Sequence, residues 1–402
     1  MGLPDLPGKL TVSHRLEELG GITDEPPGLT RTFLSPAHLR AQRVVAGWMK
    51  EAGLDVFEDA VGNIIGRRDC GTEDAPTVAC GSHLDTVRNA GKYDGAAGIL
   101  AGIAAAERLR GERLPFHLEV VAFSDEEGVR FHTTYLGSRH YRGDTFLADV
   151  RDSNGVSLAA AVAAHCPRFP SPPARRLAAW VELHIEQGPI LENENRALGV
   201  VPAIAGQTRL RVDMRGKSGH AGTTPMALRR DALVGAAEAV LAVEKCGRAT
   251  HGAVATVGCV DVANAASNVV PGEVAFTVDV RHESDAIRTR LVGEIVERIQ
   301  AVAGARNLFA TIQTALEAPA VSCDVDIAAT LSEIIAEEEE LCPQIVSGAG
   351  HDAAALAAVA RVGMVFVRCR EGLSHHPDEF ASADDIEAGI RVLTRFLREF
   401  RP

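Results

Sequence analysis

The sequence predicts an α/β protein in two parts: a discontinuous outer domain with a mixed sheet covered by helices, and a compact β-α-β-β-α-β unit inserted into it. Three observations carry this expectation. The chain has 402 residues, more than one core usually organises. Outside residues 207–321, apolar strand-like runs alternate with helix-like segments, the pattern of a sheet covered on both faces. Residues 207–321 read as strand, helix, two consecutive strands, helix and strand, which is the ferredoxin-like order. The outer domain is therefore assigned to 1–206 and 322–402, and the insert to 207–321.

Each element has its own signal. "SPAHLRAQRVVAGWMKEAG" has a Ser N-cap, a first-turn Pro, apolar positions at helical spacing and a closing Gly. "LDVFEDAVGNIIGR" reads as a hairpin, and "TVACGSHLDTV" as a strand running into polar residues. "GAAGILAGIAAAERLRG" is a small-residue helix able to approach a sheet closely. "FHLEVVAFSDEEG", "WVELHIEQG" and "MVFVRCREGLSHHP" are further buried strands that end in charge or imidazole. "FPSPPARR" reads as an exposed connector.

In the insert, "QTRLRVDMRG", "GAVATVGCVDV", "GEVAFTVDVRH" and "LFATIQTALE" are the strands. "RRDALVGAAEAVLAVEKCG" and "SDAIRTRLVGEIVERIQAVAG" are the helices. The chain returns to the outer domain with "DVDIAATLSEIIAEEEE", whose Glu337–Glu340 run reads as a solvated helix end.

Composition narrows the function. A net charge of −13 argues against nucleic acid or an anionic membrane as the main partner, while leaving room for a local basic pocket. Aromatic residues are only 4%, so the core must rest on Val, Leu, Ile and Ala. None of the 8 cysteines forms a C-x-x-C pair, which removes a zinc knuckle or dithiol motif. With no signal-like start and no membrane-length apolar run, the expectation is a reduced, cytoplasmic protein whose cysteines are mostly small buried groups.

Polar residues gather where apolar strands end. They are His83 and Asp85 in "GSHLDTV", Glu126 and Glu127 in "SDEEG", His184 in "ELHIEQG", and His375 and His376 in "LSHHP". Asp94 lies in a Gly-containing loop before a helix. Ligands of open α/β sheets sit outside the carboxyl ends of the strands. Imidazoles mixed with carboxylates suit Zn²⁺ or Mn²⁺. Two such ions about 3.5–4 Å apart share one water and clamp the oxygens of a tetrahedral intermediate. Asp94 fits a bridge between two ions. One further carboxylate must stay off the metals to move protons. Neighbours in extended backbone point to opposite sides, so one of Glu126 and Glu127 can bind metal while the other faces substrate. Which does which stays open on spacing alone. Asp85, two residues from His83, is expected to accept the His83 ring N–H.

Taken in order, "GSHLDTV…GKYDGAAG", "SDEEGVRF", "VELHIEQGP", "GHAGTTPM", "SNVVPG…VDVRH", "SGAGHDA" and "GLSHHPDE" resemble the amidase/hydantoinase/carbamoylase branch of the binuclear-metal aminoacylase and carboxypeptidase superfamily. The resemblance runs from about residue 28 to the C-terminus. It implies His83, Asp94, Glu127, His184 and His375 as ligands of two Mn²⁺ or Zn²⁺ ions, with Asp94 bridging and Glu126 as general base and acid. His376 receives no metal role. It also implies that the insert closes over the site and forms a homodimer, with His220 reaching substrate across the subunit boundary as an oxyanion and substrate residue. Gln207, Asn268 and Arg281 match substrate contacts, and Arg281 grips a carboxylate. Without the resemblance Arg281 reads as a strand-end surface charge. Gly350 and His351 are expected to line the pocket through backbone groups. Two residues depart from the pattern: Ala90 stands where Gly is frequent, and Arg88 where a smaller or neutral residue is usual.

Substrates implied by the resemblance are small ureido carboxylates: allantoate, N-carbamoyl-L-amino acids, N-carbamoyl-β-alanine and ureidoglycolate. The catalytic motifs do not separate them. "GLTRTFLSPAHLRAQRVVAGWMKEAGL" resembles the members acting on allantoate. "GKYDGAAG" lacks the G-x-G-x-x-G spacing that a nucleotide site needs.

Overall fold

The computed structural model of the protein describes residues 11–145, 150–339 and 341–402. It divides into two compact units: one formed by Met1–Pro202 with Cys323–Pro402, the other by Ala203–Ser322.

The first unit is built on a seven-stranded sheet. Its strand order is Asp55–Glu58, Ile64–Arg68, His117–Phe123, Thr77–His83, Leu177–Ile185, Arg361–Val367 and Leu198–Val200. The four strands from His117–Phe123 to Arg361–Val367 run parallel, and the outer pairings are antiparallel. Thr77–His83 and His117–Phe123 are buried along their whole length, as parallel strands covered on both faces must be. Leu198–Val200 is too short to stand out as a strand in the sequence, and pairing with Arg361–Val367 creates it. The helix Ala96–Arg108 lies against the sheet so closely that a Cβ on Gly98 would come within 2.3 Å of the Leu183 carbonyl oxygen. The glycine is therefore a packing requirement.

Ser35 caps the helix Pro36–Glu51, and Ser382 caps the C-terminal helix Ala383–Glu399. The latter pairs Arg395 with Glu337 and Arg391 with Glu338. These glutamates are exposed, and Glu340 lies outside the described residues. The 169–176 stretch is irregular but not wholly exposed: Arg175 reaches the buried Glu119 at 3.1 Å.

The second unit carries Gly206–Arg215 at the centre of its sheet, between Glu273–His282 and Phe309–Ala318, both antiparallel to it. The helices Ala232–Ala249 and Asp285–Ala305 pack on the sheet, and their apolar faces build a separate core with Leu210, Val212, Phe276 and Val278. The sequence "GAVATVGCVDV" reads as one strand but forms two short ones, Val254–Thr256 and Val260–Val262. Both pair with Glu273–His282, and the break contains Gly258, which has no side chain to pack.

Cysteine burial is lower than expected. Cys80, Cys246, Cys323 and Cys369 are buried, but Cys166 and Cys259 are exposed and all are free thiols. Among the described residues no helix is long and apolar enough to cross a membrane.

His38 is a buried imidazole with no hydrogen-bond partner on either ring nitrogen among the described residues. Burial first, then the nearby Arg31, His165 and Arg168, push its pKa down to about 3. The unfolded chain binds this proton below its ordinary pKa of about 6.5, and the folded chain refuses it until about 3. Stability must therefore fall as pH falls through that window. His38→Leu should make the curve shallower there, by up to about 1.4 kcal/mol per pH unit, measured by denaturant unfolding at a series of pH values. An unchanged slope would show that His38 takes no part.

Candidate metal centre

The parallel strands end on one edge of the sheet, and their carboxyl ends place the chemistry. His83 is the last residue of Thr77–His83, and His184 is next to last in Leu177–Ile185. Glu126 and Glu127 follow His117–Phe123, and the loop after Arg361–Val367 brings His375. Asp94 stands just before the helix Ala96–Arg108 and projects between them.

Asp94 is the common member. Its Oδ1 lies 3.3 Å from His83 Nε2 and 3.1 Å from His184 Nε2. Its Oδ2 lies 3.2 Å from His375 Nε2, whose ring is also 3.4 Å from Glu127 Oε1. Two metal-competent groups therefore share one carboxylate: His83, Asp94 and His184, and Asp94, Glu127 and His375. His376 stays outside, with its ring turned to the Asp378 backbone N–H at 3.1 Å.

The donor chemistry fits a cation. His83 Nδ1 lies 3.0 Å from the Asp85 carbonyl, and His184 Nδ1 lies 2.9 Å from the Ile185 carbonyl. A carbonyl only accepts, so each Nδ1 carries the proton and each Nε2 aims a lone pair at the Asp94 side. Among the described residues the buried His184 Nε2 makes no well-aligned hydrogen bond, with Asp94 Oδ1 3.1 Å away. A ring nitrogen so placed suits a metal ligand. Without metal, burial would raise the Asp94 pKa, but the three imidazoles outweigh it and hold the carboxyl well below the usual range.

Asp85 acts differently from the expectation. Its carboxylate is 3.6 Å from His83 Nδ1, and the hydrogen bond goes to its backbone carbonyl instead. The carboxylate accepts the backbone N–H of Glu126 at 3.0 Å and of Glu127 at 3.2 Å. Asp85 therefore shapes the turn that presents both glutamates. That turn also changes the reading of the glutamate pair. The strand stops at Phe123 and the backbone bends, so the alternation of an extended chain does not apply. Both carboxylates lie in one group with His83. They differ in their other neighbours: Glu127 meets Asp94 and His375, whereas Glu126 faces the Asp352 charge, and Asp85 lies near both. Burial, then the surrounding carboxylates, push the Glu126 pKa well above the ordinary value despite the opposing pull of His83.

The ring of His351 lies beside the imidazole of His184. The ring packs edge-on against His184 at 4.5 Å between centroids, and its Nε2 lies 2.8 Å from Ser347 Oγ. The Tyr135 hydroxyl occupies the space beside Gly350, so a side chain there would require Tyr135 to shift.

In the second unit the predicted substrate residues fall into two pairs. His220 is in register with Val269, and the Asn268 carbonyl accepts the Ala221 N–H at 2.9 Å. Gln207 stands opposite Arg281 on neighbouring strands. Of the two departures, Ala90 avoids positive φ, which falls to Asn89 at φ 50°, and Arg88 is exposed and paired with Glu25.

Several organising residues went unnoticed in the sequence. Glu379 is buried, and its Oε1 accepts the backbone N–H groups of Tyr93 at 2.9 Å and Asp94 at 3.0 Å. Ser374 Oγ donates to Glu379 at 2.8 Å, and Gln187 Nε2 donates to Asp94 Oδ2 at 3.0 Å. Glu182 accepts from Ser82 at 2.8 Å and from the Ala353 N–H at 3.0 Å, tying down the loop that carries His351. All stand inside motifs already quoted, but only the partners reveal the roles.

Two cation-competent groups that share one carboxylate, at the carboxyl edge of a mixed sheet covered by helices, form a candidate metal centre. The chain belongs to peptidase family M20/M25/M40, whose profile matches residues 79–399. It is 39% identical to an allantoate deiminase of Arabidopsis thaliana, over 95% of this chain and 81% of that protein. It is 40% identical to an N-carbamoyl-L-amino-acid amidohydrolase of Pseudomonas sp. (strain NS671), over 94% of each. A solved amidase of the hydantoinase/carbamoylase family from Burkholderia multivorans superposes with a TM-score of 0.90 at 35% identity, covering 97% of this chain and 98% of that one.

Gly95 tests the ligand geometry. Its φ is +65°, and a Cβ there would lie 2.4 Å from the His83 carbonyl oxygen and 2.6 Å from the His83 ring. Gly95→Ala should displace His83 and weaken binding of one cation by tenfold or more, roughly the effect of disturbing a ligand's support. Calorimetric titration with Mn²⁺ or Zn²⁺ would read this, with circular dichroism as the control for folding.

Proposed function

We propose that this enzyme hydrolyses the ureido C–N bond of allantoate, yielding ureidoglycine, ammonia and carbon dioxide with consumption of one water. The shared Asp94 between two cation-competent groups, with Glu126 beside them, carries the reading. The relative named an allantoate deiminase supports the substrate, together with the N-terminal segment "GLTRTFLSPAHLRAQRVVAGWMKEAGL". The relative named for N-carbamoyl-L-amino acids supports a second reading with the same machinery.

His83, His184 and Asp94 would hold one divalent ion, and Asp94, Glu127 and His375 the other. When bound, such a pair polarises a carbonyl oxygen and acidifies a water. Glu126 takes the proton of the attacking water and returns it to the leaving nitrogen. Burial among other carboxylates pushes its pKa well above the ordinary value and favours the protonated form that returns a proton. His220 donates to the developing oxyanion, and Gln207 and Asn268 hydrogen-bond the substrate. Arg281 takes the carboxylate, for which its planar fork is suited. The second unit leaves Val234 and Leu241 exposed seven residues apart on one helix, which favours a homodimer through this unit.

Glu126→Gln should retain both metals and lose turnover by about 10²–10⁴-fold, the usual weight of a general base. Metal analysis and ammonia release measure the two arms, and undiminished turnover would remove Glu126 from the role. The substrate is tested by metal-loaded assays on allantoate, ureidoglycolate, N-carbamoyl-β-alanine and N-carbamoyl-L-amino acids. Allantoate should give the highest kcat/KM. A higher value for a carbamoyl amino acid would move the assignment to the second reading.

A further inference from the structure

Asp279 stands two residues before Arg281 on the strand Glu273–His282, so both side chains share one face of the second unit's sheet. The neighbouring strand sets Gln207 opposite Arg281 and Arg209 opposite Asp279. All three converge on one carboxylate. Asp279 Oδ1 accepts from Arg281 Nε at 2.9 Å, and Oδ2 from Arg281 Nη2 at 3.1 Å. Oδ2 also accepts from Gln207 Nε2 at 2.5 Å and from Arg209 Nε at 2.9 Å. The two bonds to Arg281 define the plane of its guanidinium. Burial alone would raise the Asp279 pKa, but Arg281, Arg209 and Gln207 hold it below the ordinary value, so the carboxylate is ionised at neutral pH.

We propose that Asp279 is a positioning residue, which locks Arg281 and Gln207 into one preformed grip for the carboxylate end of the substrate. The inference rests on the reading above that Arg281 and Gln207 hold the substrate. A long Arg side chain otherwise surrenders its rotamer freedom when the ligand arrives, and prior ordering removes that loss from binding.

The test is steady-state kinetics of the metal-loaded full chain. The substrates are whichever ureido carboxylate the panel selects and its matching carboxamide. Asp279→Ala and Arg281→Ala should each raise KM for the carboxylate on the order of tenfold or more, as expected for a lost charge-assisted contact. The loss should fall on KM more than on kcat, and the rise in KM should be smaller for the carboxamide than for the carboxylate. Asp279→Asn keeps one acceptor oxygen and should fall between Ala and wild type. A raised KM in Arg281→Ala with an unchanged or lower KM in Asp279→Ala overturns the inference and leaves the substrate reading standing. An unchanged KM in Arg281→Ala removes that reading and the inference with it. Equal losses on both substrates in Asp279→Ala would make its role structural and also overturn the inference.

Discussion

The first unit depends on one carboxylate held among three imidazoles. Asp94 divides its two oxygens between His83 and His184 on one side and His375 on the other. A charge so buried is costly to desolvate, and it survives only because every neighbour is arranged for it. Backbone donors from its own loop are turned toward Glu379, while Gln187 and Ser374 hold Oδ2. Much of the surrounding architecture serves that arrangement. Gly95 is left-handed and without a Cβ because His83 occupies the space beside it. His375 and Gln187 accept positive φ, at 56° each, in the loops that reach Asp94. Such backbone is unfavourable for residues with a Cβ and persists where the surroundings demand it.

The parallel sheet supplies the rigidity this needs. Four buried strands end at one edge, so imidazoles and carboxylates from distant parts of the sequence emerge a few ångströms apart. Each strand is locked by neighbours on both sides. Buried polar residues then fasten the loops: Glu182 holds the His351 loop, and Asp85 holds the glutamate turn. These neighbours set the two glutamates apart, with Glu127 beside Asp94 and His375 and Glu126 beside Asp352.

The second unit shows a different economy. Its sheet is covered by helices on one face, and the other face is free to carry charge in strand alternation. There Gln207, Arg209, Asp279 and Arg281 form one hydrogen-bonded group without deep burial. Ordering comes from cross-strand register, in contrast to the enclosed site of the first unit.

Much of this was legible in the sequence because it is local. Apolar runs ending in His or Glu marked the strands and the ends where imidazoles and carboxylates gather. The helix Pro36–Glu51 announced itself by its Ser cap and first-turn Pro. What escaped is what depends on a partner far along the chain. Leu198–Val200 is a strand only because Arg361–Val367 lies beside it. Glu379 is separated by 285 residues from the Asp94 N–H it accepts. Asp85 appeared from spacing to serve His83, but a bend after Phe123 presented it with two backbone N–H groups to satisfy. Residue identity determined which groups could bind a cation or move a proton. Only the tertiary structure decided their distances, their protonated ring nitrogens and their charged neighbours, because those quantities belong to pairs of residues.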